Sequence, residues 1–353
     1  MRLPAMNRTP ALVLPVLALG FALGGCTDRA LSAFGEANSI IVAAPDSLWA
    51  AVEESALPAL EPTVFTVRDE RSFNVTHVAP TTSEWGRLRE FKQVLVIGRA
   101  DDPWIRPVLR RTSPSLREGE PAIVQASEIW AGEQFVTAVV LPDDDDDAAG
   151  DPAATLRAVL PEVHERIDER FRAYTLERMF VSGADTALAD TLRRDAGFAL
   201  TVPNVYAWSA LDSATYRFLN TYPRPSELIR SVLVTWRAGA ADDDALTPDS
   251  VLAWRDRLAD AWYEYYTQVT TRDRVESRTP PGAPGSDRAL EVAGIWTTPD
   301  GDFPAAGSFL SRMVACPEQD RTYFLDAWLY APGSDKYEYM LQLQTILDSF
   351  ECG

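Results

Sequence analysis

Apolar residues recur along this chain in two rhythms. Short runs that alternate, or stay apolar for four to eight residues between turn residues, predict strands; a return every three or four residues predicts helices. The first strand is predicted over 40–43 in "NSIIVAAPDSLW", turning at Pro45. Asp46 is the candidate N-cap of the next helix, with Ser47 as the other candidate, and Leu48, Val52 and Ala56 fall on one helix face. "TVFTVRDE", around Val64 and Thr66, and "FKQVLVIGRA" predict two more strands. The continuous run at 94–97 points to burial on both faces. "AIVQASEIW" and "QFVTAVVLP" follow, then a long amphipathic helix over 153–180.

The second half has the same character. "FALTVP", "VYAWSAL", "TYRFLN" and "IRSVLVTWR" read as strands, and 251–267 as a helix with Leu252, Leu258, Trp262 and Tyr266 near one face. "EVAGIWTTP" and "TYFLDAWLYA" return to strand. In the last of these Tyr323, Leu325, Ala327 and Leu329 alternate, and Pro332-Gly333 turns the chain. Asp335 is then the expected cap of a closing helix over 336–350, with Glu338 three residues on. Met340, Leu343, Leu347 and Phe350 form its apolar stripe. Runs of antiparallel-looking strands broken by single helices predict an α+β body over 38–353, with mostly antiparallel sheets and a few long helices. Its halves, 38–182 and 183–353, each end in a long helix. That leaves an internal duplication open, although no residue-level self-similarity carries it.

The N-terminus changes the picture. Arg2 and Arg8 precede the uncharged stretch "ALVLPVLALGFALGG", which is too short for a membrane-spanning helix of roughly 20 residues. A basic start, a short apolar region and small residues at its end make a secretory signal over 1–25. The end, Leu23-Gly24-Gly25-Cys26, resembles the bacterial lipobox. There cleavage falls between Gly25 and Cys26, and the cysteine thiol carries the lipid. A plain signal peptide with an incidental cysteine is the alternative. Two or more acyl chains anchor stably where one does not, so the expected location is the cell envelope, on the membrane without spanning it. Residues 26–37 form the lipidated tether. Of the other cysteines, Cys316 precedes the last strand and Cys352 follows the helix that runs back from it. The strand–turn–helix unit thus brings them together, and export favours a disulfide, with two free buried thiols as the alternative.

Charge narrows the partners. The net charge of −19 argues against nucleic acid, which needs a basic patch. It also argues against adhesion to anionic lipid beyond the anchor itself. The aspartate run at 143–147 lacks the spacers and glycine of a calcium loop and reads, like 242–244, as solvated. "RTPPGAPGSDRA", 278–289, reads as a Pro/Gly-rich loop.

Candidates for catalysis are few. The histidines are His77 and His164; His164 and Asp168 share a helix face and could hold a metal with a third ligand, but a polar helix surface explains them as well. Nucleophile-elbow, zinc-protease, CxxC, phosphate-loop and dinucleotide-binding signatures are absent. In "LYAPGSDK" the spacing is Ser334-x-Lys336, not Ser-x-x-Lys, and one glycine is too few for a phosphate cradle. Trp208, Trp236, Trp254, Trp262, Trp296 and Trp328 could line a sugar or peptide groove, with core packing as the alternative for most. No catalytic residue, metal ligand or cofactor is assigned. The expectation is a binding or interaction module for a protein or small molecule, and the rival is an envelope hydrolase acting on glycan or peptide through paired carboxylates.

The C-terminal segment carries a resemblance. "EVAGIWTTPDGDFPAAGSFLSRMV" followed by "RTYFLDAWLYAPGSDKYEYMLQLQTIL" resembles the ending of a family of bacterial lipoproteins known as domain of unknown function 4837. In that family a G-x-W strand precedes a glycine-rich segment, a strand ending "YAP" and a helix. Gly294-Ile295-Trp296, Gly307-Ser308-Phe309, Tyr330-Ala331-Pro332 and Leu341-Gln342-Leu343 fill those places. "IIVAAPDSLW" and "DAGFALTVPNVYAW" are similar to its first strand and helix start and to its central strands. The resemblance implies export, lipidation and an α+β body, and transfers no residue role. Cys26→Ala should release the protein from the membrane fraction; persistence there would contradict the lipid anchor.

Overall fold

The run "SIIVA" has no polar face to offer water, so it belongs inside a sheet. The computed structural model, which describes residues 31–143, 150–221, 227–263, 267–280 and 288–353, places it as β1 (Ser39–Ala43), between two parallel neighbours. Helix α1 (Asp46–Leu60) follows, then a hairpin of β2 (Thr63–Val64) and β3 (Glu70–Arg71), then β4 (Asn74–Val78), which pairs with β1. Through the short helix α2 (Trp85–Leu88) the chain crosses to the other side of β1 as β5 (Gln93–Arg99). Helix α3 (Arg106–Thr112), β6 (Ala122–Ser127) and β7 (Phe135–Leu141) complete a five-stranded sheet in the order β4-β1-β5-β7-β6. Within it only the β6–β7 pairing is antiparallel.

Alternate side chains of these apolar strands feed two cores. Ile40, Val42, Leu95 and Ile97 pack against α1 and the 28-residue helix α4 (Pro152–Met179). Ile41, Ala43, Val94 and Val96 pack on the opposite face with Trp85, Ile105 and Val108, around α2 and α3. Leu156, Leu160, Val163, Ile167 and Phe171 recur at helical spacing along α4 and are all buried, each contributing about 1.5–3 kcal/mol. The result is helix–sheet–helix, with the strand order reversing between β1 and β5.

The second half opens with α5 (Thr186–Ala196). Asp185 caps it by accepting the Leu188 N–H at 2.9 Å, and Gly197, at φ 75°, closes it in the left-handed conformation that glycine adopts without strain. Then come β8 (Phe198–Ala199), β9 (Ala207–Ala210), β10 (Thr215–Asn220), β11 (Ile229–Ala238), α6 (Pro248–Trp262), β12 (Val269–Arg278), β13 (Ala289–Thr297), β14 (Ala306–Cys316), β15 (Arg321–Tyr330), α7 (Tyr337–Asp348) and β16 (Glu351–Cys352). Seven of these strands form an antiparallel sheet, β12-β13-β14-β15-β11-β10-β9. One face is covered by α5 and α7, the other by α6. The chain is thus α+β and mostly antiparallel, although the sheet of its first half is parallel in all but one pairing.

On the α6 face the core contains a charge. Arg255 and Asp326 are fully buried, with Arg255 Nε 3.3 Å from the Asp326 carboxylate. Asp326 also accepts from the Tyr263 and Ser311 hydroxyls. Arg255 donates to Gln268 at 2.6 Å and Thr270 at 3.1 Å and lies over the Phe309 ring. Burial, with the Asp326 charge beside it, pushes the Tyr263 phenol well above its usual range, so it stays a donor.

This network corrects one expectation: the helix ends at Trp262, not Thr267, because Tyr263 leaves it to reach Asp326. A second correction falls on α1, which starts at Asp46 after Pro45 with no side-chain cap bond, so neither Asp46 nor Ser47 caps it. The expected loop over 278–289 is flanked by the end of β12 and the start of β13; 281–287 lie outside the described residues. Cys316 and Cys352 form a disulfide that ties the end of β14 to β16, which in turn pairs with β8. Closing a loop with a sequence separation of 36 contributes about 4 kcal/mol in the chain-entropy account.

Asp326→Ala should destabilise the protein by about 3–5 kcal/mol in urea unfolding, because it strands a buried guanidinium. The paired change Arg255→Met with Asp326→Leu should recover much of that loss, and equal losses in both variants would contradict the account.

Candidate functional site

Helix α7 is where the halves meet, and both of its ends are held by residues distant in sequence. At the N-terminus the Lys336 backbone N–H donates to Glu70 Oε2 at 2.8 Å, and the Lys336 ammonium pairs with the other Glu70 oxygen. The carboxylate that caps this helix therefore comes from β3. Asp335, the expected cap, instead accepts from Asn38 at 2.8 Å and Asn74 at 3.4 Å. The Lys336 ammonium also donates to the Ser334 carbonyl at 3.1 Å, so it serves as a structural link and not as a base for the serine hydroxyl. At the C-terminus Arg312, from β14, donates to the Leu347 carbonyl at 2.9 Å and to Asp348 at 2.6 Å.

Along its length α7 faces α4. Tyr337 stacks on Phe171 with centroids 5.7 Å apart, donates to Asp168 at 2.6 Å and accepts from Arg172 at 2.7 Å. Burial, then the bond to Asp168, holds its phenol above the usual range, so the hydroxyl remains a donor.

Beside this contact lies a cavity of about 260 Å³. Its walls come from the β2–β3 connection (Phe65, Thr66), α4 (Arg172), β12 (Arg278), β14 (Ser308, Leu310) and α7 (Met340, Leu341). Arg172 uses Nε on Asp168 and Nη2 on Tyr337. Arg278 uses Nε on Glu291 and Nη2 on Gln344 and Glu291. Each guanidinium keeps Nη1 outside these bonds. Ser308 is 1% exposed, and its hydroxyl has no partner among the described residues. A buried hydroxyl left unmatched costs about 1–3 kcal/mol, which a ligand can return.

A second concave region lies at the carboxyl ends of β1, β5 and β7, the switch-point crevice of open α/β sheets. One part, about 430 Å³, is bounded by Pro45, Ser47, Gly98, Asp102 and Pro152; the adjoining part, about 800 Å³, by Asp101, Leu116, Glu118, Glu120 and Asp143. The two share Arg99 and Leu141. Asp102 accepts the Arg99 backbone N–H at 2.7 Å and Asp151 accepts that of Ala153 at 3.1 Å, so both carboxylates are engaged locally.

The other candidates disperse. His77 sits on β4, stacked on Trp49 at 5.0 Å, with Nε2 2.9 Å from the Ala44 carbonyl. His164 is half-buried near the Leu60 carbonyl, edge-on to Phe73, while Asp168 turns to Arg172 and Tyr337. They do not converge, and no cluster of metal-ligating side chains occurs among the described residues. Trp254, Trp296 and Trp328 are core, Trp236 and Trp262 are packed against it, and only Trp208 is well exposed, so no tryptophan groove forms. Asp242, Asp243 and Asp244 are exposed around a short helical turn. Asp143 is exposed too, while 144–147, and Gly25 and Cys26 at the N-terminus, lie outside the described residues. The cavity was not visible in sequence, since its lining comes from six separate segments; the polar residues Ser308, Ser311 and Arg312 within the apolar run of β14 were the one available signal.

The fold defines an α+β protein of two sheets joined through a shared helix contact. Residues 185–349 match the family model "Domain of unknown function (DUF4837)". No curated protein matches the chain. Among solved structures it is similar to a point mutant of the protein Mog1, at 9% identity, over 44% of this chain and 90% of that one, with a TM-score of 0.31. Saccharomyces cerevisiae Ran-binding protein Mog1p shares 10% identity over the same 44% and 90%, with a TM-score of 0.31. A Bacteroides thetaiotaomicron protein shares 10% over 44% and 45%, with a TM-score of 0.27. Scores of this size assign no role.

Glu70→Ala removes both the cap and the ion pair at the start of α7 and should cost about 1–2 kcal/mol in urea unfolding. Asp335→Ala should cost less; the reverse order would restore Asp335 as the cap.

Proposed function

We propose that the protein is a cell-envelope lipoprotein, anchored through Cys26, whose body binds a small amphipathic anion in the cavity between its halves. One observation carries the binding reading: Ser308, whose buried hydroxyl has no partner among the described residues, stands in the wall of a cavity with apolar walls and two guanidinium groups. Phe65, Leu310, Met340 and Leu341 suit a short hydrocarbon. The free Nη1 groups of Arg172 and Arg278 suit a carboxylate, which arginine recognises through directed, charge-assisted bonds. The volume falls just below the roughly 300–1,000 Å³ of drug-sized ligand pockets, so the ligand is metabolite-sized. Within the cavity Glu276 alone contributes a carboxylate, so no carboxylate pair forms there, and in the crevice Asp102 and Asp151 are taken up by backbone N–H groups.

Octanoate is a suitable probe. It should raise the thermal midpoint in a dose-dependent manner, as any ligand of the native state does, while octylammonium should not. Ser308→Ala should weaken octanoate binding about tenfold, the effect of losing one hydrogen bond to a charged group. Equal responses to both probes, or none at millimolar octanoate, would reject the binding reading.

A further inference from the structure

We infer that the body stands on the membrane by the end that carries the starts of β5 and β7, with Val181 and Val205 at the bilayer surface and the acidic crevice held away from it. The inference rests on the anchor at Cys26.

From Leu31 onward the tether is bound to the body. Ala33 donates to the Gly132 carbonyl and Gly132 to the Leu31 carbonyl, both at 2.8 Å. Phe34 donates to the Glu90 carbonyl at 3.2 Å, and Lys92 to the Phe34 carbonyl at 2.8 Å. The Phe34 ring packs edge-on against Phe91 at 4.5 Å, and the Arg87 guanidinium lies over it. Leu31 is thereby fixed beside the residues that open β5 and β7.

Leu31 is only five positions along the chain from Cys26, a reach of at most about 18 Å. The crevice lies at the opposite ends of the same strands. The six steps of β5 from Gln93 to Arg99 span about 20 Å on their own. Even a fully extended tether therefore falls short of laying the crevice on the bilayer.

Helix α4 shows what else lies at the near end. It starts at the crevice with Pro152 and runs back along the sheet. Tyr174 packs on Phe135 at 5.7 Å and accepts from Lys92 at 2.9 Å, at the starts of β7 and β5. The helix then continues to Met179, so its end projects about 8 Å past the sheet at ~1.5 Å per residue. On this tip Val181 is 87% exposed. The turn it begins is bound to the segment carrying Val205, 50% exposed, through the Asn204 bonds to Gly183 and Ser182. Leu31 is 67% exposed at the tether exit. Of the five exposed large aliphatic side chains among the described residues, Leu31, Val181 and Val205 thus share the anchored end, and Leu116 and Val269 lie elsewhere. Near that end the chain carries Arg87, Lys92 and Arg178 alongside Glu36, Glu90 and Glu133. The crevice lining instead sets Asp101, Asp102, Glu118, Glu120, Asp143 and Asp151 against Arg99 and Arg117, a net negative field that an anionic leaflet repels within a Debye length of about 8–10 Å.

The test uses full-length lipoprotein in vesicles of phosphatidylethanolamine and phosphatidylglycerol doped with nitroxide-labelled lipid. Val181→Cys and Leu116→Cys are each labelled with the same fluorophore; Leu116 lines the crevice, and the bridged Cys316 and Cys352 do not react. Quenching at position 181 should be several times that at position 116. Equal quenching, or the reverse order, overturns the orientation. Failure of the unlabelled protein to float with vesicles would instead reject the native anchor. In that event a body beginning at Cys26, coupled through that thiol to a maleimide lipid, puts the orientation to the same comparison.

Discussion

Arg312 is 1% exposed yet carries a full charge, and its satisfaction fixes much of the second half. An ion of this size is tolerated in a protein interior only when its donors are matched with good geometry. All three nitrogens are: Nε bonds Glu291 at 3.0 Å, Nη1 the Leu347 carbonyl, and Nη2 both Glu291 and Asp348 at 2.6 Å. These partners lie on β13 and at the end of α7, so one side chain sets where α7 stops and where it lies on the sheet. The consequence reaches both termini of that helix. Its start is held against Glu70, its flank against Phe171, and the chain beyond its end returns to Cys316 through the disulfide. The cavity between the halves exists because α7 is held this rigidly at a distance from β14.

The residues by which the C-terminal segment resembles the family whose model it matches have a shared physical cause. A Cβ on Gly294 would collide with the Phe309 ring, and one on Gly307 with the Leu329 carbonyl and the Trp296 indole. The G-x-W strand and the glycine of "AAGSF" therefore fit one another: each glycine makes room for the aromatic residue supplied by the other strand. Ser308 lies between Gly307 and Phe309, so the same packing that builds the sheet centre also sets this residue in the cavity wall.

Legibility in the sequence followed from how each element is buried. β15 was readable because Tyr323, Leu325, Ala327 and Leu329 alternate, and α7 because Leu343 and Leu347 of its expected stripe are buried, although Met340 is only partly covered and the helix stops at Asp348, leaving the buried Phe350 beyond it. β14 was missed as a strand because it is buried on both faces and mixes Ser308, Ser311 and Arg312 into its apolar run, so it shows neither period. β12, "VTTRDRVESR", is a charged edge strand whose side chains mostly face water, and its pattern resembles a loop. α5 carried a signal that went unread, with Asp185 before it and Gly197 after it. Strand direction in the first sheet was invisible, since apolar runs look alike whether neighbours are parallel or not. The Glu70 cap and the cavity depend on contacts between residues more than 200 positions apart, which no local pattern records.

The two concave regions differ in how they answer the same electrostatic problem. At the crevice the N-termini of α1 and α4 direct unpaired N–H groups and positive dipole ends towards open space, an arrangement that ordinarily favours anions. Here the chain supplies the anions itself: Asp46 sits in the first turn of α1, and Asp151 caps α4. Asp101, Glu118, Glu120 and Asp143 add to the same field, followed in sequence by four more aspartates. Arg99 and Arg117 are the cations of that lining, outnumbered by the carboxylates, so the field there disfavours an anionic guest. In the smaller cavity two arginines are tied by two nitrogens each to carboxylates, amide or phenol, leaving directed donors but little net charge. Affinity there has to come from geometry and apolar contact, which favours a short amphipathic carboxylate over phosphate or a polyanion.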